Sequence, residues 1–300
     1  MFEPIVTVLM PVYNGGAYIS QAIDSVLSQT FHNFEFLIID DGSTDNSIAV
    51  SSSYPDGRIR ILKNDKNLGI SKALNIGIQN ARGKYIARMD CDDVNAAERF
   101  YKQVLFMEQH PEIGVCGCWV NAIDEMGKGH LWRFPIEPEQ IKCQLLFCNT
   151  MAHPSVMLRR DTLEKTGIYY DALFQYAQDY KLWVELAKKI VLANIPEVLV
   201  AYRLHSHQLS AKNWCETVSE PDTIKREQLQ LLGIVPTKEE MEIHRQLTNA
   251  NLMVTKEFVQ KAAIWLSKIE QANHVAGCYP RIPFAQVVND YRGIIGLVGD

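Results

Sequence analysis

The sequence has no hydrophobic run long enough to cross a membrane. Its N-terminus also lacks a leader pattern, because Glu3 and Pro4 stand where a signal peptide needs basic residues and then an apolar run. The seven cysteines include no C-x-x-C pair, and their number is odd. Free thiols in a reducing compartment are therefore expected, rather than a disulfide framework or a zinc site. We expect a cytoplasmic protein.

Several nucleotide-binding signatures are missing as well. The sequence contains no G-x-x-x-x-G-K-[ST] loop and no G-x-G-x-x-G after its first predicted strand, which argues against a P-loop ATPase and a dinucleotide oxidoreductase. An EF-hand is excluded because Val94 occupies the third ligand position and no glycine follows it. The formal net charge of -5 provides no general attraction to nucleic acid or anionic lipid.

What is present is an alternation of strand, turn and helix across the first hundred-odd residues. Four apolar runs are predicted to be buried strands: Ile5–Met10, Phe34–Ile39, Ile59–Leu62 and Tyr85–Met89. Helical spacing of apolar residues follows most of them. This pattern predicts an α/β fold with a mostly parallel sheet flanked by helices, in which ligands bind beyond the carboxyl ends of the strands.

Polar loops follow the predicted strands at that edge. They are Pro11–Asn14, Asp40–Asp45, Asn64–Gly69 and Asp90–Asp93. In the last of them, Asp90 and Asp92 are two carboxylates that would repel each other without a cation between them. Mg²⁺ or Mn²⁺ binds one or two carboxylates and completes its shell with water and phosphate oxygens, so a divalent cation is the predicted cofactor.

The ordered motifs resemble those of the inverting glycosyltransferases of family 2. The resemblance covers roughly the first 210 residues and rests on these segments: Met10-Pro11-Val12-Tyr13-Asn14, Asp40-Asp41-Gly42-Ser43-Thr44-Asp45, Asn67-x-Gly69-x-x-x-Ala73-x-Asn75-x-Gly77, Asp90-x-Asp92-Asp93 and Gln178-Asp179-x-x-Leu182-Trp183. It implies the GT-A fold, which is a Rossmann-like nucleotide-diphospho-sugar transferase fold, with a helical C-terminal appendage.

The resemblance also implies the roles of single residues. Nucleotide-sugar binding is assigned to Pro11, Tyr13, Asn14, Asp41, Asn67, Gly69, Lys72, Arg88, Asp90 and Asp92. Of these, Asp92 matches the family's metal ligand on the donor diphosphate, and His205 is a candidate second ligand. Asp179 matches the catalytic base that removes the proton of the acceptor hydroxyl. His153 and Gln178 are candidates for acceptor contacts.

Within the family, the sequence is most similar to lipooligosaccharide β-1,3-N-acetylglucosaminyltransferases. Three segments carry this likeness: Asp56–Leu62, Tyr85–Arg88 and Tyr202–Ser210. The resemblance favours transfer of one sugar from UDP-GlcNAc to a glycan or lipid-linked acceptor in cell-surface polysaccharide synthesis. Galactosyl or glucosyl transfer remains open, as do a sugar-nucleotide nucleotidyltransferase and a non-catalytic UDP-sugar-binding module.

The C-terminal part carries no further chemistry in its sequence. A boundary is expected near Trp214, which divides the chain into a glycosyltransferase domain over 1–213 and a helical appendage over 214–300. An amphipathic helix is predicted from Met253, Phe258, Ala262, Trp265 and Ile269. We expect it to pack on the domain or on a second subunit. Arg281–Phe284 and Tyr291–Ile295 are the alternative, a peripheral contact with the inner face of the cell membrane.

Overall fold

The computed structural model describes residues 3–124, 126, 128–206, 208, 214–249, 252 and 254–296. The chain forms two compact units. The first comprises Met1–Ile136 and Met151–Lys212, and the second comprises Glu137–Thr150 and Asn213–Asp300.

The first unit is built on one sheet. Its strands are β1 (Val6–Val12), β2 (Phe34–Asp40), β3 (Ile59–Lys63), β4 (Tyr85–Arg88), β5 (Val94–Asn95), β6 (Ile113–Ile123), β7 (Gly129–Trp132), β8 (Met157–Arg159) and β9 (Val191–Arg203). The strand order is β3-β2-β1-β4-β8-β6-β9-β5, and β7 pairs with β6 outside this path. The helices of this unit are α1 (Ile19–Leu27), α2 (Ser47–Ser52), α3 (Ile70–Asn80), α4 (Arg99–Gln109), α6 (Arg160–Thr166) and α7 (Gln178–Leu186).

The first four strands confirm the predicted parallel half of the sheet. β1 pairs in parallel with both β2 and β4, and β2 pairs in parallel with β3. β1 and β2 are buried along their whole lengths, as expected for strands covered on both faces. Their carboxyl ends therefore meet at one edge, and the four polar loops leave the sheet there.

The second half of the sheet is mixed. β8 runs antiparallel to both β4 and β6, whereas β9 runs parallel to β6 over nearly its full length. β6 and β7 form an antiparallel hairpin in which the Asp124 N–H donates to the Lys128 carbonyl. Between the two strands of this hairpin, residues 125 and 127 lie outside the described residues.

The second unit is helical. It contains α5 (Pro138–Gln144), α8 (Trp214–Leu231), α9 (Lys238–Gln246), α10 (Lys256–Ala276) and α11 (Arg281–Ile294). The sequence-based division at 213/214 did not assign residues 137–150 to this unit. They belong to it because Cys143, Leu146 and Phe147 are buried in the same apolar core as the four later helices. Residues 209–213, next to the expected boundary, lie outside the described residues.

The predicted amphipathic helix is α10, which buries Phe258, Ala262, Trp265 and Ile269, while Met253 lies outside the described residues. In the two segments considered for a membrane contact, Phe284, Tyr291 and Ile295 are core residues of the second unit. Ile282 and Ile294 remain exposed there. Within the described ranges, no helix has both the length and the apolar composition to span a bilayer.

Candidate active site

The polar loops at the carboxyl edge of the sheet enclose a cavity of about 710 Å³. Its lining includes ten of the residues that the sequence assigned to binding: Pro11, Tyr13, Asn14, Asp41, Asn67, Gly69, Lys72, Asp90, Asp92 and His205. Further parts of the wall come from the start of α3 and from Ala172, Phe174 and Gln175 of the loop before α7. Its volume is within the range of ligand pockets in proteins.

The first two loops are held together by Asn14. Its φ of +55° lies in the left-handed region, which asparagine tolerates better than most residues. In this conformation the Asn14 N–H donates to Ser43 Oγ at 3.0 Å, and Asn14 Oδ1 accepts the Thr44 N–H at 2.8 Å. The neighbouring Gly15 N–H donates to Ser47 Oγ at 2.9 Å. These reciprocal bonds fix one wall of the cavity.

Asp41 shapes another part of the wall. The side chain is buried, and its carboxylate accepts hydrogen bonds from Asn64 Nδ2 and from the backbone N–H groups of Leu68 and Gly69. Gly69 has a φ of +89° and precedes the first residue of α3, so the chain turns into the helix at a residue without a Cβ. Asp41 therefore determines where the amino end of α3 meets the cavity.

The acidic loop after β4 gathers three carboxylates. One ligand oxygen from each of Asp90, Asp92 and Asp93 lies within 4.8 Å of the others. Arg88, buried in β4, donates to both oxygens of Asp90 at 2.5 and 2.6 Å. Burial, together with the charges of Asp92 and Asp179, raises the pKa of Asp90 to about 6 against the lowering effect of Arg88.

The carboxyl end of β9 closes over this loop. The Arg203 N–H donates to Asp93 Oδ1 at 2.8 Å, and Arg203 Nε donates to the Asp92 carbonyl at 2.9 Å. His205 Nε2 lies 2.9 Å from Asp92 Oδ2, and the His205 ring packs on Tyr18 with a centroid distance of 4.8 Å. His205 thus contacts the one carboxylate that the sequence assigned to the metal.

Asp179 reaches this region from far along the chain. It lies in the first turn of α7, where a negative charge is favoured by the helix dipole. Its charge raises the pKa of both Asp90 and Tyr170, which places the three groups in one electrostatic neighbourhood. Asp179 is half-buried, and it is not among the residues that line the cavity.

His153 and Gln178, the candidate acceptor contacts, are both buried and also lie outside the cavity lining. His153 Nε2 is 2.7 Å from the Tyr170 hydroxyl. Burial, assisted by the charge of Arg88, lowers the pKa of His153 well below its ordinary value. Among the described residues, Gln178 Oε1 has no hydrogen-bond partner.

The donor set fits a hard divalent cation. Asp92 and Asp93 supply carboxylate oxygens, and His205 adds an imidazole, which also suits Mn²⁺. Buried Asp93 Oδ2 has no hydrogen-bond partner within the described part of the chain. Burial, with the charges of Asp90 and Asp92, raises the pKa of Asp93 well above its ordinary value. A bound cation would give Asp93 Oδ2 a partner and would compensate the buried negative charge of Asp93.

Three residues around the site received no role from the sequence. Asp93 was visible as a third acid in the loop, but Arg203 and Tyr170 carried no local signal. Arg203 contacts Asp93, which is distant in the sequence, and Tyr170 contacts His153, which is buried in another element. Their contribution depends on long-range packing.

Comparisons with known proteins agree with this geometry. The family described as Glycosyl transferase family 2 matches residues 7–167. An uncharacterized glycosyltransferase of Haemophilus influenzae is 35% identical over 75% of this chain and 73% of its own length. The amylovoran biosynthesis glycosyltransferase AmsE of Erwinia amylovora is 33% identical over 69% of this chain and 79% of its own.

Solved structures share the fold at low sequence identity. S. aureus TarS, crystallised with UDP-GlcNAc, has a TM-score of 0.66 and 16% identity, covering 97% of this chain and 90% of that one. The mannosyltransferase PcManGT of Pyrobaculum calidifontis, in complex with GDP-Man and Mn²⁺, has a TM-score of 0.60 and 15% identity, covering 98% and 84%. The sheet and its flanking helices thus form a GT-A-like fold.

Proposed function

Since the chain belongs to glycosyltransferase family 2 and is a glycosyltransferase, we propose that it is metal-dependent and inverting. It moves one sugar from a UDP-sugar to a glycan or lipid-linked acceptor. The observation that carries this proposal is the acidic loop at the cavity, where Asp90, Asp92 and Asp93 converge and Asp92 is paired with His205. A cavity without such a cluster would accommodate a nucleotide but would not neutralise a departing diphosphate.

The cation would be held by Asp92, with Asp93 and His205 as further donors. When bound, it supplies charge neutralisation for the diphosphate leaving group. The chain's own residues orient this loop. Arg88 donates hydrogen bonds to the Asp90 carboxylate, and Arg203 donates one to the Asp92 carbonyl. Because these side chains are buried or half-buried, the loop is preorganised for a charged ligand.

Asp179 is proposed as the general base. It takes the proton from the acceptor hydroxyl as that oxygen attacks the anomeric carbon, on the face of the sugar opposite the diphosphate. Its position in the first turn of α7 favours the ionised form that a base needs. Proton removal by a placed carboxylate contributes on the order of 10²–10⁴-fold to such a reaction.

UDP-GlcNAc is the proposed donor. The resemblance to N-acetylglucosaminyltransferases supports it, as does the shared fold with TarS, whose structure contains that nucleotide sugar. AmsE, named for amylovoran biosynthesis, supports an acceptor in a cell-surface polysaccharide. UDP-galactose, UDP-glucose and GDP-mannose are the competing donors, the last because PcManGT binds it.

We assign the transfer reaction to the first unit and propose a supporting role for the helical unit, in oligomerisation or in peripheral contact with the inner face of the cell membrane. The first unit contains every residue that the sequence assigned to the site. Exposed Ile282 and Ile294 on α11 are among the side chains available for such a contact.

UDP and GDP release from the four nucleotide sugars, measured with Mn²⁺, with Mg²⁺ and with EDTA, tests the proposal without a known acceptor. We expect release from UDP-GlcNAc that needs the cation and falls strongly in Asp92→Asn. With an identified acceptor, Asp179→Asn should lower transfer by about 10²–10⁴-fold. Asp161→Asn, on α6, is the matched control for a change of charge.

Three results would contradict the proposal. Nucleotide release that is equal with EDTA and with Mn²⁺ would remove the cation from the reaction. Pyrophosphate exchange into a nucleotide sugar, without sugar transfer, would favour a nucleotidyltransferase instead. Binding of UDP with no turnover in any condition would indicate a non-catalytic module.

A further inference from the structure

An aromatic pair joins β7 of the β6–β7 hairpin to β9, with Trp132 exposed and Tyr202 half-buried. Trp132, the last residue of β7, is 39% exposed, and all four residues of this strand are exposed. The Trp132 ring is 5.3 Å from that of Tyr202, on β9, with an interplanar angle of 37°. Together the two rings form an apolar surface that is partly open to solvent.

Strand register places Trp132 at about the level of the acidic loop along the strand direction. β9 occupies one edge of β6, so β8 and β7 share the other edge, one after the other. Met157 of β8 pairs with Ala87 of β4 on one side and with Cys116 of β6 on the other, so these residues are at the same level in the sheet. Trp132 pairs with Val120, four residues after Cys116 on β6. At about 3.3 Å per residue, Trp132 lies about 13 Å beyond Ala87, the level at which the chain after β4 carries its carboxylates.

Backbone contacts give a second, independent link. Tyr202 directly precedes Arg203, which contacts both Asp92 and Asp93. β5, which follows the acidic loop, also pairs with β9 at Val200 and Ala201. One side of the aromatic pair is therefore connected to the carboxylates through neighbouring residues of the same strand.

We propose that Trp132 and Tyr202 form the platform on which a pyranose ring of the acceptor stacks, an inference that rests on the proposed glycosyl transfer. A pyranose presents a face of C–H groups and a rim of hydroxyls, so its C–H face matches an apolar aromatic surface while its hydroxyls stay in water. The platform adjoins the carboxylates without lining the nucleotide-sugar cavity. That position suits the second substrate.

A neighbouring residue of the hairpin, Leu131, is a suitable control for substitutions of Trp132. Leu131 precedes Trp132 on β7 and is 46% exposed. Because successive side chains of a strand point to opposite faces, Leu131 lies on the face away from the aromatic pair. Leu131→Ala removes exposed apolar surface from the same strand and leaves the platform intact.

Saturation-transfer NMR on the full chain tests the platform with four free disaccharides as probes: lactose, cellobiose, N,N′-diacetylchitobiose and maltose. We expect at least one probe to receive saturation mainly on the protons of one ring face. Trp132→Ala should weaken binding of that probe by about three- to tenfold, the range typical of one aromatic stacking contact. Trp132→Phe should retain most of the binding, and Leu131→Ala should match the wild type.

The outcomes separate this inference from the proposed function. Absence of saturation for all four probes, or equal binding by Trp132→Ala and the wild type, overturns the platform. A Trp132→Ala variant that loses only thermal stability shows that the pair merely stabilises the hairpin. Nucleotide release by the wild-type chain tests the proposed function separately, because that assay contains no acceptor.

Discussion

Arg88 is a buried residue that compensates a charge in the acidic loop. Its side chain is only 2% exposed and forms a bidentate ion pair with Asp90, whose carboxylate lies close to those of Asp92 and Asp93. Arg88→Met would leave Asp90 beside Asp92 and Asp93 without its cation. We expect the free energy of unfolding to fall by about 3 kcal/mol, as for other broken buried pairs, measured by urea denaturation.

A second variant distinguishes this electrostatic cost from lost packing. Arg88→Met combined with Asp90→Asn removes the uncompensated charge together with its partner. Part of the lost stability should return in the double variant. Equal stability of the single and double variants would show that the arginine acts mainly by filling space.

His244 makes the second unit sensitive to acid. Trp265 Nε1 donates to His244 Nδ1, and His244 Nε2 donates to the Leu146 carbonyl, so the buried ring is neutral. Burial lowers its pKa to about 3 from 6.5. Between these values the unfolded chain binds a proton that the folded chain does not, so stability falls as the pH drops below about 6.5.

At pH 5 this histidine should cost about 2 kcal/mol relative to neutral pH. His244→Gln can still accept from Trp265 and donate to the carbonyl, but it does not titrate. Thermal unfolding at pH 7 and pH 5 should therefore show a smaller loss in the variant. An identical loss in both proteins would assign the acid sensitivity to other groups, of which His153 is the first candidate.

Among the secondary-structure elements, α3 positions the loop that leads to α7. Asn75 donates from Nδ2 to the Tyr170 carbonyl at 2.8 Å and accepts the Tyr170 N–H at 3.0 Å. Ser71 Oγ adds a bond to the Phe174 carbonyl at 3.0 Å. The segment between Tyr170 and Phe174, which includes part of the cavity wall, is thus attached to the helix at both ends.

Asn75→Asp should break half of this attachment, because a carboxylate cannot donate to the Tyr170 carbonyl. We expect a stability loss of about 1–3 kcal/mol and slower nucleotide release. Asn80→Asp is the matched control, since Asn80 Nδ2 makes a similar bond to the Ile76 carbonyl at an exposed site. Equal effects of the two substitutions would contradict a positioning role for Asn75.

The elements that the sequence predicted are those with local signals. The apolar runs beginning at Ile5 and Phe34 predicted β1 and β2 to within two residues at either end. The acids after β4 pointed to the proposed cation site because the turn follows a buried strand. Contacts such as Arg203 with Asp93 or Asn75 with Tyr170 join residues about a hundred positions apart, and no local pattern encodes that register.

For the whole molecule, residues 137–150 belong to the second unit although they lie in the sequence between two stretches of the first. A truncated chain tests what this arrangement requires. A chain that ends at Lys212 would retain α5 and expose Cys143, Leu146 and Phe147, which the later helices bury. Such an apolar patch favours association. We expect the truncated chain to elute as aggregates in size-exclusion chromatography and to bind the dye ANS.

Replacing Leu146 and Phe147 with serine in the truncated chain should reduce both signals. The same two substitutions in the full-length chain should instead destabilise it, because they place hydroxyls in the core of the second unit. A truncated chain that is monodisperse without these substitutions would show that the exposed segment finds cover elsewhere.

The position of residues 137–150 in the sequence also affects folding during translation. The ribosome makes residues 137–150 in the middle of the first unit, yet their partners emerge only after Met151–Lys212 has been translated. At about 5–20 residues per second, the nascent segment waits for seconds with its apolar side chains uncovered. Chaperone capture during translation should therefore concentrate on this interval, and a synonymous change that slows translation after residue 150 should lower the yield of folded protein.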